Sequence, residues 1–261
     1  MAFFKNLLSS IGIGSAKVDT IIQGDRFTPG ESVDVIVKIM GGNTEQHIDG
    51  LYFSIHCNYE ANEYAEDEDD TETEVTRTAT LNKMKLSDEF SVGPGEEMEI
   101  PLSFELPLYT PLTVGKTKVW IHTGLDIKKA IDPGDKDYIE VVPGHLSGAL
   151  FDSLDHLGFK LVEADCEAVP SSLGSLPFVQ EFEFKPFSGP FRGKLDELEI
   201  VCFPHEDHME VFMEIDRKAR GIGSLIAEMM DRDETRVNFS YGQDELEGLT
   251  DMVRELIDDW S

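Results

Sequence analysis

The sequence predicts a mainly β protein built from two antiparallel β-sandwiches in tandem. Apolar and polar residues alternate in many short runs along the chain, and turn residues separate these runs. Helical spacing of apolar residues is confined to the two ends and to one stretch between them. Hydrophobic residues make up 40% of the 261 residues, which is enough for a packed core.

The first half begins with a short amphipathic helix and continues with strands. Apolar residues within 2–11 recur at helical spacing, and Gly12 and Gly14 end the pattern. Docking on the protein's own core is the favoured role of this helix, and binding to a membrane or a partner is the alternative. The alternating runs that follow are Lys17–Ile22, Asp34–Ile39, Ile48–Tyr59, Val75–Met84, Glu97–Phe104, Thr117–Thr123 and Tyr138–Val142.

Two Pro-Gly-Glu stretches in this half predict turns between strands. Pro at the second and Gly at the third position of a turn favour type II, in which Gly30 and Gly95 take a positive φ. The preceding hydrophobic residues, Phe27 and Val92, are expected to enter the core. Neither stretch contains a nucleophile or a base, so both are interpreted as structural.

Pro143-Gly144 marks the predicted boundary between an N-terminal sandwich of residues 1–143 and a C-terminal sandwich of residues 144–261. Leucines within 148–158 predict a helix at the junction, and Gly158 ends it. Apolar residues at helical spacing predict a C-terminal helix over 244–260, with Asp244 as its N-cap. The strands predicted between the helices are Phe159–Ala164, Phe178–Phe184, Leu195–Phe203, Met209–Asp216 and Val237–Phe239.

The chain is strongly acidic, with 52 acidic against 22 basic residues and a net charge of −30. Such a surface repels nucleic acid and anionic lipid, and two interpretations remain. Solvation, either for general solubility or in a salt-rich cytoplasm, is favoured, and attraction to basic partners is the alternative. No apolar run approaches the roughly 20 residues that cross a bilayer, and residues 1–14 do not have the long apolar region of a signal peptide. The three cysteines form no CxxC motif, which predicts free, mostly buried thiols and a cytoplasmic location.

Two charged segments are the candidate interaction surfaces. Residues 60–74 hold nine acids and no base, so they are expected to form an exposed, mobile loop or hairpin tip without an EF-hand calcium site. The basic cluster is interpreted as a charged turn, because it lacks the spacing of a phosphate loop. The candidate residues are Asp67, Glu68, Asp69, Asp70, Arg217, Lys218 and Arg220.

Motifs of catalysis or metal binding are weak in this sequence. His205 and His208 lie between two predicted strands, where a hairpin turn accounts for them better than a zinc site with two further ligands. Neither a GxSxG elbow nor a Cys–His signature is present. No catalytic, metal-binding or cofactor-binding residue is therefore predicted.

Several sequence blocks together resemble the stage-zero sporulation control protein M family of bacteria and archaea. They include FFKNLLSSIGIGSAKVDTII, the first Pro-Gly-Glu unit, KVWIHTGLDIKKAIDPGDKDYIEVVP, PFVQEFEFKP, DELEIVCF and MEIDRKARGIG. The resemblance implies an arrestin-like fold of two immunoglobulin-like sandwiches. It also implies a non-enzymatic cytoplasmic protein that acts through protein contacts in sporulation control, with a link to cell division. The family has no catalytic motif to carry over.

The leading hypothesis is therefore a scaffold or regulator that binds protein partners through sheet edges and loops. Self-association through the terminal helices is a further expectation. One alternative is a carbohydrate-binding or hydrolase module with a β-sandwich fold, which predicts a concave pocket lined with aromatic residues and a pair of carboxylates about 5 to 10 Å apart. The other is a membrane-associated adaptor anchored by residues 2–11.

Overall fold

The structure, a computed structural model, describes residues 15–64, 72–127, 133–170, 176–216 and 236–260. These residues form strands β1–β14, two α-helices and one 3₁₀-helix, so the predicted mainly β class is confirmed. The predicted N-terminal helix over 2–11 lies outside the described residues.

The chain divides into two compact units that are discontinuous in sequence. The first contains residues up to 57, 80–110 and 118–141, and the second contains 58–79, 111–117 and the chain from 142 onward. The predicted boundary at residue 143 lies beside the last of these transitions. A single cut there assigns 58–79 and 111–117 to the first unit, whereas the structure places them in the second.

The first unit is a two-layered sandwich. One sheet has the order β1-β3-β7, and all of its pairs are antiparallel. In the other, β4 pairs with β8 and β8 with β9 in antiparallel fashion, and the short β2 lies parallel to β9. Strands β5 and β6 also pair with β4. The bounds are β1 Lys17–Ile22, β2 Arg26–Phe27, β3 Ser32–Met40, β4 Gln46–Tyr64, β5 Glu72–Ser87, β6 Phe90–Val92, β7 Glu97–Glu105, β8 Val119–Ile127 and β9 Gly134–Val141.

Alternation in the sequence determines which residues fill this sandwich. Strand β3 buries every second residue, and Val37 and Ile39 are almost completely buried. They pack against Leu51 of β4 and Leu125 of β8, so one apolar cluster joins both sheets. Burial of apolar area in this cluster is the main stabilising contribution of the unit.

The two Pro-Gly-Glu turns have the predicted backbone. Gly30 has φ 85° and Gly95 has φ 66°, and both Phe27 and Val92 are buried. The second turn also packs against the end of β3, because the Gly41 N–H donates to the Glu96 carbonyl at 2.8 Å.

A side chain at Gly41 should destabilise the protein more than one at Gly95. A Cβ atom on Gly41 would overlap the backbone carbonyl oxygen of Gly93, whereas one on Gly95 meets nothing within 4 Å. We expect Gly41→Ala to lower the free energy of unfolding by about 2–4 kcal/mol. Gly95→Ala costs about 1 kcal/mol, for its positive φ alone. Urea denaturation of both variants measures the difference, and equal losses would contradict this packing.

The second unit contains a five-stranded antiparallel sheet of order β14-β13-β12-β11-β10. Helix α1 packs on its apolar face, where the Phe151 ring lies 5.1 Å from that of Phe182. Helix α2 packs beside α1, and Thr250 donates to Ser153 at 3.0 Å. The bounds are α1 His145–His156, β10 Phe159–Ala168, β11 Phe178–Pro186, β12 Glu197–Pro204, β13 His208–Asp216, β14 Arg236–Gly242, the 3₁₀-helix Gln243–Gly248 and α2 Leu249–Trp260.

The second predicted sandwich is only partly matched by the residues that the structure describes. They form one sheet backed by two helices, so a second sheet facing it stays a prediction. The helix ends also differ from expectation in one place. Asp244 is not the N-cap of the C-terminal helix, because a 3₁₀-helix comes first with Gly242 as its N-cap. The Gly242 N–H donates to the Glu245 carboxylate at 2.9 Å and fixes this start.

The segment 111–117 is held in the second unit by the side chain of Gln180 on β11. Its Oε1 accepts from the Leu112 N–H at 2.7 Å, and its Nε2 donates to the Leu112 carbonyl at 2.8 Å. The same Nε2 lies 3.4 Å from the Thr117 hydroxyl. A single amide thus satisfies both backbone groups of a buried residue.

Candidate functional site

The outward surface of the β4–β8–β9 sheet in the first unit carries aromatic and basic side chains. The strand register places His56 opposite Trp120 and Trp120 opposite Tyr138. The next outward row contains His122 and Lys136. We refer to His56, Trp120, His122, Lys136 and Tyr138 as the aromatic face.

These side chains contact one another across the strands. The His56 and Trp120 rings stack with centroids 5.7 Å apart, and the Tyr138 ring lies 5.9 Å from Trp120. The Lys136 ammonium lies 3.9 Å from the Trp120 centroid and 4.8 Å from that of Tyr138, which is cation–π geometry. Trp120 is only 9% exposed while Tyr138 is 60% exposed, so the buried Trp120 ring supports the accessible Tyr138 ring.

A Ser–His pair lies beside this face but does not form a catalytic triad. The His56 Nε2 is 2.8 Å from the Ser54 hydroxyl, and its Nδ1 is 3.2 Å from the Thr80 hydroxyl. A triad needs a carboxylate in the position of Thr80 to stabilise the imidazolium. Ser54 is also buried and points toward the His122 carbonyl, so its hydroxyl is not presented to a substrate.

The second unit carries a different cluster, on the face of its sheet opposite α1. Cross-strand register aligns Glu163 with Glu183, Glu183 with Glu199, and Glu199 with Glu214. Five carboxylates of this surface are 2–4% exposed. We refer to these five as the carboxylate face: Asp165, Glu181, Glu197, Glu199 and Glu214.

Burial controls the charge of this cluster. The pKa of Glu181 is raised from its ordinary 4.5 to about 9, first by burial and second by the negative charge of the neighbouring Glu199. At the edge, burial and then Glu74 raise the pKa of Glu60 to about 7. Lys116 lies 3.5 Å from Glu60 and 4.0 Å from Asp165, and it partly offsets their repulsion. Glu181 of the carboxylate face therefore holds a proton at neutral pH.

The thiols are unsuited to nucleophilic chemistry. All three cysteines are free, Cys57 and Cys166 are buried, and Cys202 is partly buried, as the sequence predicts. Burial raises the pKa of the Cys166 thiol to about 12, so almost none of it is thiolate at neutral pH.

The residues chosen from the sequence have different outcomes. The candidate interaction residues Asp67, Glu68, Asp69, Asp70, Arg217, Lys218 and Arg220 lie outside the described residues. The expected loop at 60–74 is shorter than predicted, because β4 continues to Tyr64 and β5 begins at Glu72. Ala61 is buried within this stretch, where β4 continues past the predicted end at Tyr59.

The histidine turn is confirmed. The His205 N–H donates to the His208 carbonyl at 2.9 Å, and the two rings stack 4.3 Å apart. Sequence reasoning missed the aromatic face. Its signal was the outward position of Trp120 and Tyr138 on adjacent strands, which becomes visible only when the strands are paired.

These features define a mainly β protein in which the described residues carry candidate contact surfaces and buried acids. Among these residues no helix is long and apolar enough to cross a membrane. The family model described as SpoOM protein matches residues 4–219, and the chain belongs to this family.

Comparison with individual proteins agrees over the full length. The chain is 40% identical over 264 residues to the sporulation-control protein spo0M of Bacillus subtilis (strain 168), and the match covers 100% of both chains. The crystal structure of Spo0M from Bacillus subtilis superposes with a TM-score of 0.84 at 39% identity, over 95% of this chain and 100% of that one. The family resemblance stated from the sequence is confirmed.

Proposed function

We propose that this protein is a non-enzymatic regulator of sporulation that acts in the cytoplasm through protein–protein contacts. The observation that carries the proposal is the full-length match to a sporulation-control protein, with 100% of both chains covered. Free cysteines favour a reducing compartment. The inert Cys166 thiol and the incomplete Ser54–His56 pair favour a role without covalent catalysis.

The aromatic face is the contact surface that we assign to this role. Tyr and Trp side chains contribute strongly to the energetics of protein interfaces, because a rigid ring buries a large area at low entropic cost. Tyr138 is exposed and rests against Trp120, so binding would not need to order it first. The face thus has a preformed centre.

Charge indicates the kind of partner. The chain carries −30, so an acidic partner is repelled by most of its surface. Lys136 places one exposed cation on the aromatic face. A partner segment that places an apolar residue on Tyr138 and a single carboxylate beside Lys136 would therefore dock there in a defined orientation.

The other functional hypotheses receive less support. A hydrolase needs a pair of carboxylates that a substrate can reach, and the carboxylate face, which is 2–4% exposed, does not supply one. The membrane adaptor rests on residues 2–11, outside the described part of the chain, and stays a prediction. Self-association stays a prediction as well, as does binding through Asp67–Asp70 or Arg217–Arg220.

Complementation in Bacillus subtilis tests the proposal. In a strain lacking its own sporulation-control protein spo0M, this chain should restore the wild-type yield of heat-resistant spores. With the double variant Lys136→Glu, Tyr138→Ala, the yield of heat-resistant spores should be at least tenfold lower than with the unmodified chain, because the loss of a hot spot costs about 2 kcal/mol or more of binding free energy. Equal melting temperatures of variant and wild type would exclude misfolding.

Phe187→Ala is the matched control, since this aromatic side chain is 59% exposed and belongs to the second unit. It should complement as well as the wild type. Failure of the wild-type chain itself, with the protein folded and expressed, would count against a sporulation role. Full complementation by the double variant would reject the aromatic face.

A further inference from the structure

A histidine and two carboxylates converge at one edge of the first unit. His47 and Asp49 lie two residues apart on β4, beside a β-bulge between Ile48 and Gly50. Glu89 belongs to the turn that leads into β6. Pairing of β6 with β4 sets Ser91 opposite His47 and thereby brings Glu89 to the same place.

The distances between these groups match the edges of a metal-coordination polyhedron. The His47 Nε2 lies 3.4 Å from the Asp49 Oδ1 and 3.4 Å from the Glu89 Oε2. All three potential ligand atoms lie within 4.8 Å of one another. Tetrahedral bonds of about 2.0–2.1 Å give ligand-to-ligand edges of about 3.3–3.4 Å, so both distances from the His47 Nε2 match those between tetrahedral ligands.

The surroundings suit a bound cation. If Nε2 is the ligand, the other ring nitrogen of His47, Nδ1, faces the Ser91 hydroxyl at 3.5 Å. A hydrogen bond from Nδ1–H to this hydroxyl would orient the imidazole ring toward the ion. Two carboxylates balance the charge of a divalent ion. The side chains of His47, Asp49 and Glu89 are 48%, 23% and 68% exposed, so an ion can enter from solvent and keep water as its fourth ligand.

We propose that His47, Asp49 and Glu89 form a binding site for a divalent zinc-class metal ion. One imidazole and two carboxylates are donors that Zn²⁺ accepts, and an imidazole disfavours Ca²⁺ and Mg²⁺. The site is independent of the aromatic face and of the sporulation role. The histidines at the β12–β13 turn are a separate feature, and no described third ligand joins them at metal-binding distance.

Titration of the full, chelator-treated chain with ZnCl₂ tests the proposal. We expect saturable binding of one ion with a dissociation constant below about 100 μM by calorimetry, and no comparable binding of CaCl₂. Binding of Co²⁺ should produce the visible absorption of a four-coordinate ion. His47→Ala and Glu89→Gln should each weaken zinc binding at least tenfold.

His205→Ala is the control, because it removes an imidazole from the surface and leaves the proposed site intact. It should bind as the wild type does. Zinc binding that survives in His47→Ala, or that is lost in His205→Ala, overturns the proposal. So does absence of saturable binding below 1 mM, on the order of nonspecific association. All variants are exposed substitutions, and their circular dichroism should match the wild type.

Discussion

Replacing Glu181 with glutamine should make the protein more stable than the wild type at pH 8, by on the order of 2–4 kcal/mol. Burial and Glu199 raise the pKa of Glu181 from 4.5 in an exposed chain to about 9. Between these pH values the folded state binds more protons than the unfolded state, so the free energy of unfolding falls as the pH rises. Glutamine has no proton to lose and can still donate to Glu199.

The test is urea denaturation of both proteins from pH 4.5 to pH 9. The wild type should lose up to about 1.4 kcal/mol per pH unit from this group, and the variant should show a smaller slope. Near pH 4.5 the two should agree. Glu206→Gln removes the same charge from an exposed turn and should keep the wild-type slope. An unchanged slope in Glu181→Gln would show that this carboxyl is not buried as described.

Replacing Gln180 with alanine should have the opposite effect and lower the free energy of unfolding by about 2–4 kcal/mol. The Gln180 amide satisfies both the N–H and the carbonyl of Leu112, a residue only 6% exposed. Alanine leaves these two backbone groups buried without their partners. The segment 111–117 should then detach more often from β11.

Limited proteolysis distinguishes this mechanism from a general loss of stability. Cleavage within 111–117 should become faster in Gln180→Ala under conditions where the rest of the chain stays folded. Gln243→Ala, an exposed glutamine of the same unit, is the control and should change stability by less than about 0.5 kcal/mol. Unaltered cleavage of the segment would contradict the anchoring role of Gln180.

Much of the fold could be predicted from the sequence because long strands reveal their alternation. Lys17–Ile22 was predicted with its observed bounds. Strands β2 and β6 were missed, since two or three residues cannot show a period. The ends of β4 and β5 next to residues 65–71 were missed because acidic and polar residues dominate the sequence there, although Ala61 is buried.

The candidate sites were harder to predict for a physical reason. Glu181, Glu197 and Glu199 alternate with apolar residues, as side chains on a solvated face do. The structure buries them, and a one-dimensional pattern cannot show whether the polar face of a strand is covered. The zinc ligands are similarly separated, because His47 and Glu89 meet only through the pairing of β4 with β6.

The discontinuous division of the chain has a consequence for biosynthesis. Residues 58–79 and 111–117 leave the ribosome before β10 and β11, the strands of the unit to which they belong. The first unit can therefore fold during synthesis, before the strands that pack with these two segments have been made. A gene split at codon 143 would give two fragments, neither of which encodes a complete unit. We expect each fragment to aggregate when expressed alone and to recover solubility only when both are made in the same cell.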